Sequence, residues 1–149
     1  MEPMTATLTS TGSTAAVIVT HQRAELLRAS LEQVVHQTHP VQWVVVVDNG
    51  AEDAVRELVE SMAGDRGVYV PSETNLGGAG GFALGFLTAL SLGADAVWCA
   101  DDDGRPADHA VLAELYRVAE ANRLHEVSPA VCNIDDPGRL AFPLRQGLV

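Results

Sequence analysis

Three consecutive carboxylates, Asp101, Asp102 and Asp103, close the apolar run AVWCA and are followed by Gly104 and Arg105. Packed at the end of an extended segment, three like charges resist simultaneous ionisation, and a divalent cation relieves the repulsion. Carboxylate oxygens are hard ligands suited to Mg2+ or Mn2+. Side chains alternate along an extended chain, so Asp101 and Asp103 are expected to point one way and Asp102 the other. That arrangement suits a metal held by Asp101 and Asp103 against a diphosphate. The competing reading is a solvated Asp-Gly turn. Asp135-Asp136-Pro137-Gly138 is equally acidic and turn-like, so an acidic cluster alone leaves both readings open.

A second candidate is Asn75-Leu76-Gly77-Gly78-Ala79-Gly80-Gly81-Phe82. Such a run lets backbone amides approach an anion closely at the start of a helix. Gly78, Gly80 and Ala83 also satisfy G-x-G-x-x-[GA], with Asp101 near the spacing of a ribose-binding acid, which is the pattern of a dinucleotide-dependent oxidoreductase. Placement weakens that reading, because the fingerprint normally turns off a first strand and this run follows a third. Packing alone is the expected role of Gly85 and Gly93, but not of the run at 77–81. Asp48, ending VVVVD, could accept from a uracil imide N–H or cap a turn with Asn49 and Gly50, the simpler role in isolation. Arg23 could pair with a phosphate or with a helix neighbour, and Thr20 and His21 are ambiguous. His36, His39, His109 and His125 read as surface or helix-end residues, and the five histidines show no metal spacing.

The elements that must position these residues alternate. Ala15–Thr20 is a β-branched run, followed by a helical stretch from Ala24 to Gln37 whose Leu27, Leu31, Val34 and Val35 form one stripe. Trp43–Val47 reads as a strand covered on both faces. Val55, Leu58, Val59 and Met62 mark a second helix, and Val68–Val70 a third strand. A helix over Phe82–Leu92 follows the glycine run. Ala96–Ala100 is a fourth strand, Val111, Leu115 and Val118 mark another helix, and Ala130–Asn133 is a possible fifth strand. Strand–helix alternation predicts an α/β fold, a mostly parallel sheet with helices on both faces. Such sheets bind ligands outside the carboxyl ends of their strands. There stand Thr20 to Arg23, Asp48 to Gly50, Pro71 to Gly81, and Asp101 to Arg105.

The chain has 149 residues with 20 acidic and 9 basic side chains, a net charge of −11. Every basic position is arginine. Without lysine there is neither a P-loop ammonium nor a Schiff base, and the acidic balance disfavours nucleic acid as a partner. Residues 1–14 are polar and Thr-rich and are expected to be a flexible leader without signal-peptide character. Cys99 and Cys132 lie in apolar runs and are expected to be buried thiols in a reducing cytosol. Leu76–Ala94 is 19 residues without a charge. Its helical part would rise only about 16 Å, roughly half a bilayer core, so it reads as a buried loop and helix.

Taken together, AVIVTHQR, WVVVVDNG, PSETNLGGAGGFALG and VWCADDDGRP resemble the Rossmann-like nucleotide-sugar-binding half of inverting family 2 glycosyltransferases of the GT-A fold. The similarity looks closest to the actinobacterial galactofuranosyltransferases that begin the cell-wall galactan, and it covers about residues 15 to 145. The resemblance implies that Thr20, Arg23 and Asp48 contact uridine and that Asn75, Gly77 and Gly78 border the nucleotide sugar. It further implies that Asp101, Asp102 and Arg105 contact the donor, with Asp101 and Asp103 holding Mg2+ or Mn2+. The implied reaction moves galactofuranose from a UDP-sugar donor to a lipid-linked glycan acceptor, with inversion. Residues 15–149 would then be the donor-binding domain, stopping before the acceptor-binding half. In the family the general base lies in that half, so no catalytic residue is assigned here. A chain of this extent could also act as a nucleotide-binding module without catalysis. The implied setting is the cytoplasm, at the inner face of the plasma membrane, with peripheral membrane association through the acceptor or the other half.

Overall fold

The computed structural model describes residues 7–142. Four strands and four helices alternate: β1 (Thr14–Thr20), α1 (Ala24–Val35), β2 (Trp43–Asp48), α2 (Asp53–Ala63), β3 (Gly67–Pro71), α3 (Gly77–Ser91), β4 (Ala96–Asp101) and α4 (Val111–Asn122). The sheet has the order β3-β2-β1-β4 and every pairing is parallel. The α/β architecture read from alternation is the one observed.

Val44 to Val47 on β2 are fully buried, because helices cover both faces of the central strands. On one face Ala16, Ile18, Val44 and Val46 meet Leu27, Leu31 and Val34 of α1, Val55, Leu58 and Val59 of α2, and Leu112 and Tyr116 of α4. On the other face Ala15, Val17, Val45 and Val47 meet Ala89, Phe82, Leu84 and Leu92 of α3 or its C-terminal end. Each fully buried leucine of this kind contributes about 1.5–3 kcal/mol.

The glycine run is helical, not a loop: α3 starts at Gly77, five residues before the expected Phe82. Gly81 and Gly85 share a face and let the helix sit against β1. A Cβ on Gly81 would lie 2.5 Å from Val19 Cγ1, and one on Gly85 would collide with Val17 Cγ1. Close packing is therefore the role of Gly81 as well as Gly85. Gly93, expected to pack, instead has φ +82 in open space and ends the helix in the left-handed conformation that glycine adopts freely.

Three further expectations change. Ala130–Asn133 forms no strand; a single antiparallel bridge joins Cys132 to Leu140 around the acidic turn, where Arg139 N donates to Asp136 O at 2.9 Å. The segment is exposed, so no packing reinforces its apolar side chains into a sheet position. Cys99 and Cys132 are both exposed rather than buried, the first because β4 pairs only with β1 and its outer side is uncovered. Residues 1–6 of the expected leader lie outside the described residues, but residues 7–13 are tied down. Ser10 donates from N and Oγ to Glu120 Oε1 at 2.6 and 2.7 Å, and Ser13 N and Oγ donate to Asp95 Oδ2, both at 2.8 Å. Those bonds hold the Asp95 carboxyl below the usual carboxylate range. Short polar side chains, read as disorder in the sequence, here serve as hydrogen-bond anchors. Among the described residues, no helix is long and apolar enough to cross a membrane.

Candidate nucleotide-binding site

The parallel register brings the strand ends to one edge, with Thr20 beside Asp48, Asp48 beside Pro71, and Val19 beside Asp101. The turn after β1 contains Gln22 at φ +54 and the turn after β2 contains Ala51 at φ +50. Left-handed backbone at non-glycine residues is uncommon and clusters where a loop must be aimed. After β1 it turns Arg23 back toward the end of β4.

There the first cluster forms. Thr20 Oγ1 donates to Asp102 Oδ2 at 2.9 Å, in the interior. Arg23 reaches Asp102 Oδ1 at 3.4 Å and Asp103 Oδ2 at 3.1 Å. Asp102 is buried, while Asp101 and Asp103 are exposed; exposure alternates, but Asp102 and Asp103 converge on the same Arg23 Nη1 rather than pointing opposite ways. Asp101 is pushed above the ordinary carboxylate range by partial burial first, and then by the charges of Asp103 and Asp102. Arg105 stands exposed just beyond.

The second cluster joins β2 to α3. Asp48 is fully buried and accepts from Gly50 N at 2.9 Å, Glu52 N at 2.7 Å and Tyr69 Oη at 3.0 Å. It anchors the turn into α2, the simpler of its two expected roles. Burial and the Asp48 hydrogen bond push the Tyr69 phenol up to about 12. The neighbouring Asn49 was missed as more than a turn residue. Its Oδ1 accepts from Leu76 N at 3.2 Å, and its Nδ2 donates to Gly77 O at 3.3 Å. Asn49 therefore sets where the glycine run begins, and His21 Nδ1 lies 3.1 Å from the Asn49 carbonyl. The D-N-G sequence gave no sign of this, because the partner lies 27 residues away. Asn75 is exposed and its Oδ1 accepts from Gly77 N at 2.9 Å. Gly77 has φ +68, and neither Gly77 nor Gly78 has an atom within 4 Å of where a Cβ would stand. Space is thus open beside both glycines, while the Gly77 N–H and carbonyl are already bonded to Asn75 and Asn49.

The donor set suits a hard cation. Two exposed carboxylates are enough where phosphate and water complete the shell of Mg2+ or a similar ion. Among the described residues, no group of three or more His, Cys, Asp or Glu side chains is gathered into a cage, so further oxygens would have to come from a ligand. A separate cavity of about 280 Å3, lined by Thr14, Trp98, Leu112 and Tyr116 among others, lies at the opposite, amino-terminal end of β1 and β4.

The family described as Glycosyl transferase family 2 matches residues 15–146. Galactofuranosyltransferase GlfT1 of Mycolicibacterium smegmatis is 56% identical over 142 residues, covering 95% of this chain and 47% of the relative. The chain thus spans about half the length of the curated relatives it matches. Among solved structures, S. aureus TarS in complex with UDP superposes with a TM-score of 0.60 at 20% identity, covering 73% of this chain and 32% of that one. The mannosyltransferase PcManGT from Pyrobaculum calidifontis, in complex with GDP-Man and Mn2+, superposes at 0.58 with 21% identity, covering 86% and 37%. At these identities the structures establish a shared fold.

Proposed function

This chain belongs to glycosyl transferase family 2, and from that premise we propose that it is the donor-binding part of a galactofuranosyltransferase of cell-wall galactan synthesis. The observation carrying this reading is the 56% identity to a galactofuranosyltransferase over 95% of the chain. The site supports it chemically. Asp101 ends β4 and Asp103 follows it, both exposed, and the start of α3 is a helix N-terminus of the kind that can receive a phosphate. A divalent cation, Mg2+ or Mn2+, held by these two carboxylates would supply charge to the departing nucleoside diphosphate.

The remaining roles fall to the chain's own residues. Arg23 neutralises Asp103 and is free to swing its half-exposed guanidinium onto a phosphate. Asn75, Gly77 and Gly78 border the donor and Arg105 assists from the rim, while the buried Thr20 and Asp48 support the turns behind the uridine side without touching it. The donor is a UDP-sugar, UDP-galactofuranose by kinship, and the acceptor a lipid-linked glycan. Transfer with inversion needs a base to take the acceptor's proton. No acid of this chain is assigned that role, which we place in the acceptor-binding half that the longer relatives include. The lipid acceptor would bring the protein to the cytoplasmic face of the plasma membrane.

Calorimetric titration tests the donor reading: UDP should bind more tightly with Mn2+ than without, and NAD should not bind. Binding of NAD with no heat from UDP and Mn2+ overturns it.

A further inference from the structure

The segment from Asp101 to Leu112 holds the acidic residues, yet it is irregular between the end of β4 and the start of α4. Something outside it must set its shape, and the contacts run to α1 and to the turn that follows it. Ser30 is fully buried on that helix. Its hydroxyl lies 2.7 Å from the Asp101 carbonyl and 3.4 Å from that of Gly104, so one hydroxyl spans both ends of the triple-aspartate turn. Seven residues on, Gln37 is also buried. Its Nε2 donates to Asp108 O at 2.9 Å, and its Oε1 accepts from Leu112 N at 2.9 Å. Thr38 N adds a bond to His109 O at 2.7 Å.

Ser30 lies on α1, and Gln37 lies two residues past its last residue, Val35, on the turn that leaves the helix. Both are buried polar side chains beside the apolar stripe of Leu27, Leu31 and Val34. Burying polar groups is costly unless they are bonded, and every one of these bonds goes to the segment that carries Asp101 to Asp103 or to the helix end beside it. We propose that Ser30 and Gln37 are positioning residues that clasp the acidic segment from beneath and so set the direction of the Asp101 and Asp103 carboxylates. This rests on the donor-site reading above. The two side chains touch no ligand; they act through the backbone of the loop. Gln37 also donates to Gln33 O at 3.1 Å, which ties the clasp to the last turn of α1.

The test compares Ser30→Ala and Gln37→Met with Val34→Ala, a core truncation on the same helix that leaves the clasp intact. UDP binding to the full chain is titrated with and without Mn2+, and hydrogen exchange of the 101–112 backbone is followed without ligand. We expect the two clasp variants to lose roughly tenfold of the Mn2+-enhanced affinity, about 1.4 kcal/mol, with binding of UDP alone unchanged. Exchange in 101–112 should accelerate in both. Val34→Ala, although destabilised, should keep its Mn2+ enhancement. Retention of the enhancement in Ser30→Ala and Gln37→Met overturns the proposal, as does its equal loss in Val34→Ala. Absence of Mn2+-enhanced UDP binding in the wild-type protein overturns the donor-site reading and this proposal together.

Discussion

Within the acidic turn, neighbouring carboxylates have opposite surroundings. Asp101 and Asp103 face outward, whereas Asp102 is buried against Thr20 Oγ1. Replacing Asp101 or Asp103 by alanine should therefore abolish the Mn2+-enhanced part of UDP binding, while Asp136→Ala, in the exposed turn near the carboxyl end, should leave it intact. Equal losses at all three positions, read by calorimetry, would contradict the assignment. Thr20→Val should act differently, on stability: it removes a donor from a buried carboxylate, which costs about 1–3 kcal/mol by urea denaturation. A pH effect belongs to His39. Its ring lies 4.3 Å from that of Tyr116, its Nε2 is buried without a hydrogen-bond partner, and burial lowers its pKa against the opposing pull of Glu120. A histidine depressed in the folded state favours folding above its ordinary pKa near 6.5. The stability is lost as pH falls below that value. The denaturation midpoint should drop between pH 7 and 5, and less steeply in His39→Gln.

At the scale of elements, α3 separates two uses of glycine. Gly81 and Gly85 face β1 with no room for a side chain, and Gly78 faces open space. Gly85→Ala should lower stability by about 1–3 kcal/mol, the usual cost of overpacking a core. Gly78→Ala should leave stability unchanged or raise it by up to about 1 kcal/mol, since alanine is the better helix former. If the start of α3 receives a phosphate, the same Gly78→Ala should weaken UDP binding without any thermal destabilisation. Comparing melting temperature with affinity in the two variants checks both halves. The helix as a whole includes the glycine run that composition alone assigns to a loop. Glycine has low helix propensity, but tertiary packing against Val17 and Val19 outweighs it.

For the whole molecule, four strand ends from distant parts of the sequence converge on one edge, and β4 lies at the outside of the sheet. Its exposed face carries Cys99 and Asp101. Partial desolvation against the sheet, then the charges of Asp101 and Glu126, push the thiol of the exposed Cys99 up, so its alkylation at neutral pH should be slower than that of an unperturbed cysteine, as mass spectrometry of partially modified protein would report. The relatives are about twice as long as this chain. On the proposed reading, a turnover assay with UDP-galactofuranose and a lipid-linked acceptor analogue, run on this chain and on this chain joined to the remaining half of a relative, should show transfer only in the joined protein.

Hydrophobic periodicity already identifies the four strands, the order in which helices alternate with them, and the edge to which the strand ends come. Those patterns are local: a valine run covered on both faces and a stripe repeating every turn leave their mark wherever the fold carries them. The triple aspartate could be read the same way, because like charges crowded at a strand end have chemical consequences whatever lies nearby. Other decisions depend on partners far along the chain. Nothing near Ser30 or Gln37 marks them as supports of a loop some 70 residues away. Asn49 looked like a turn residue until α3 was placed beside it. The exposure of Cys99 and the fate of residues 130–133 likewise depend on which surfaces neighbouring elements cover. Hydrogen bonds and excluded volume between distant segments exist only once the chain has folded, so tertiary structure alone decided which polar groups hold the site and which are left to meet a ligand.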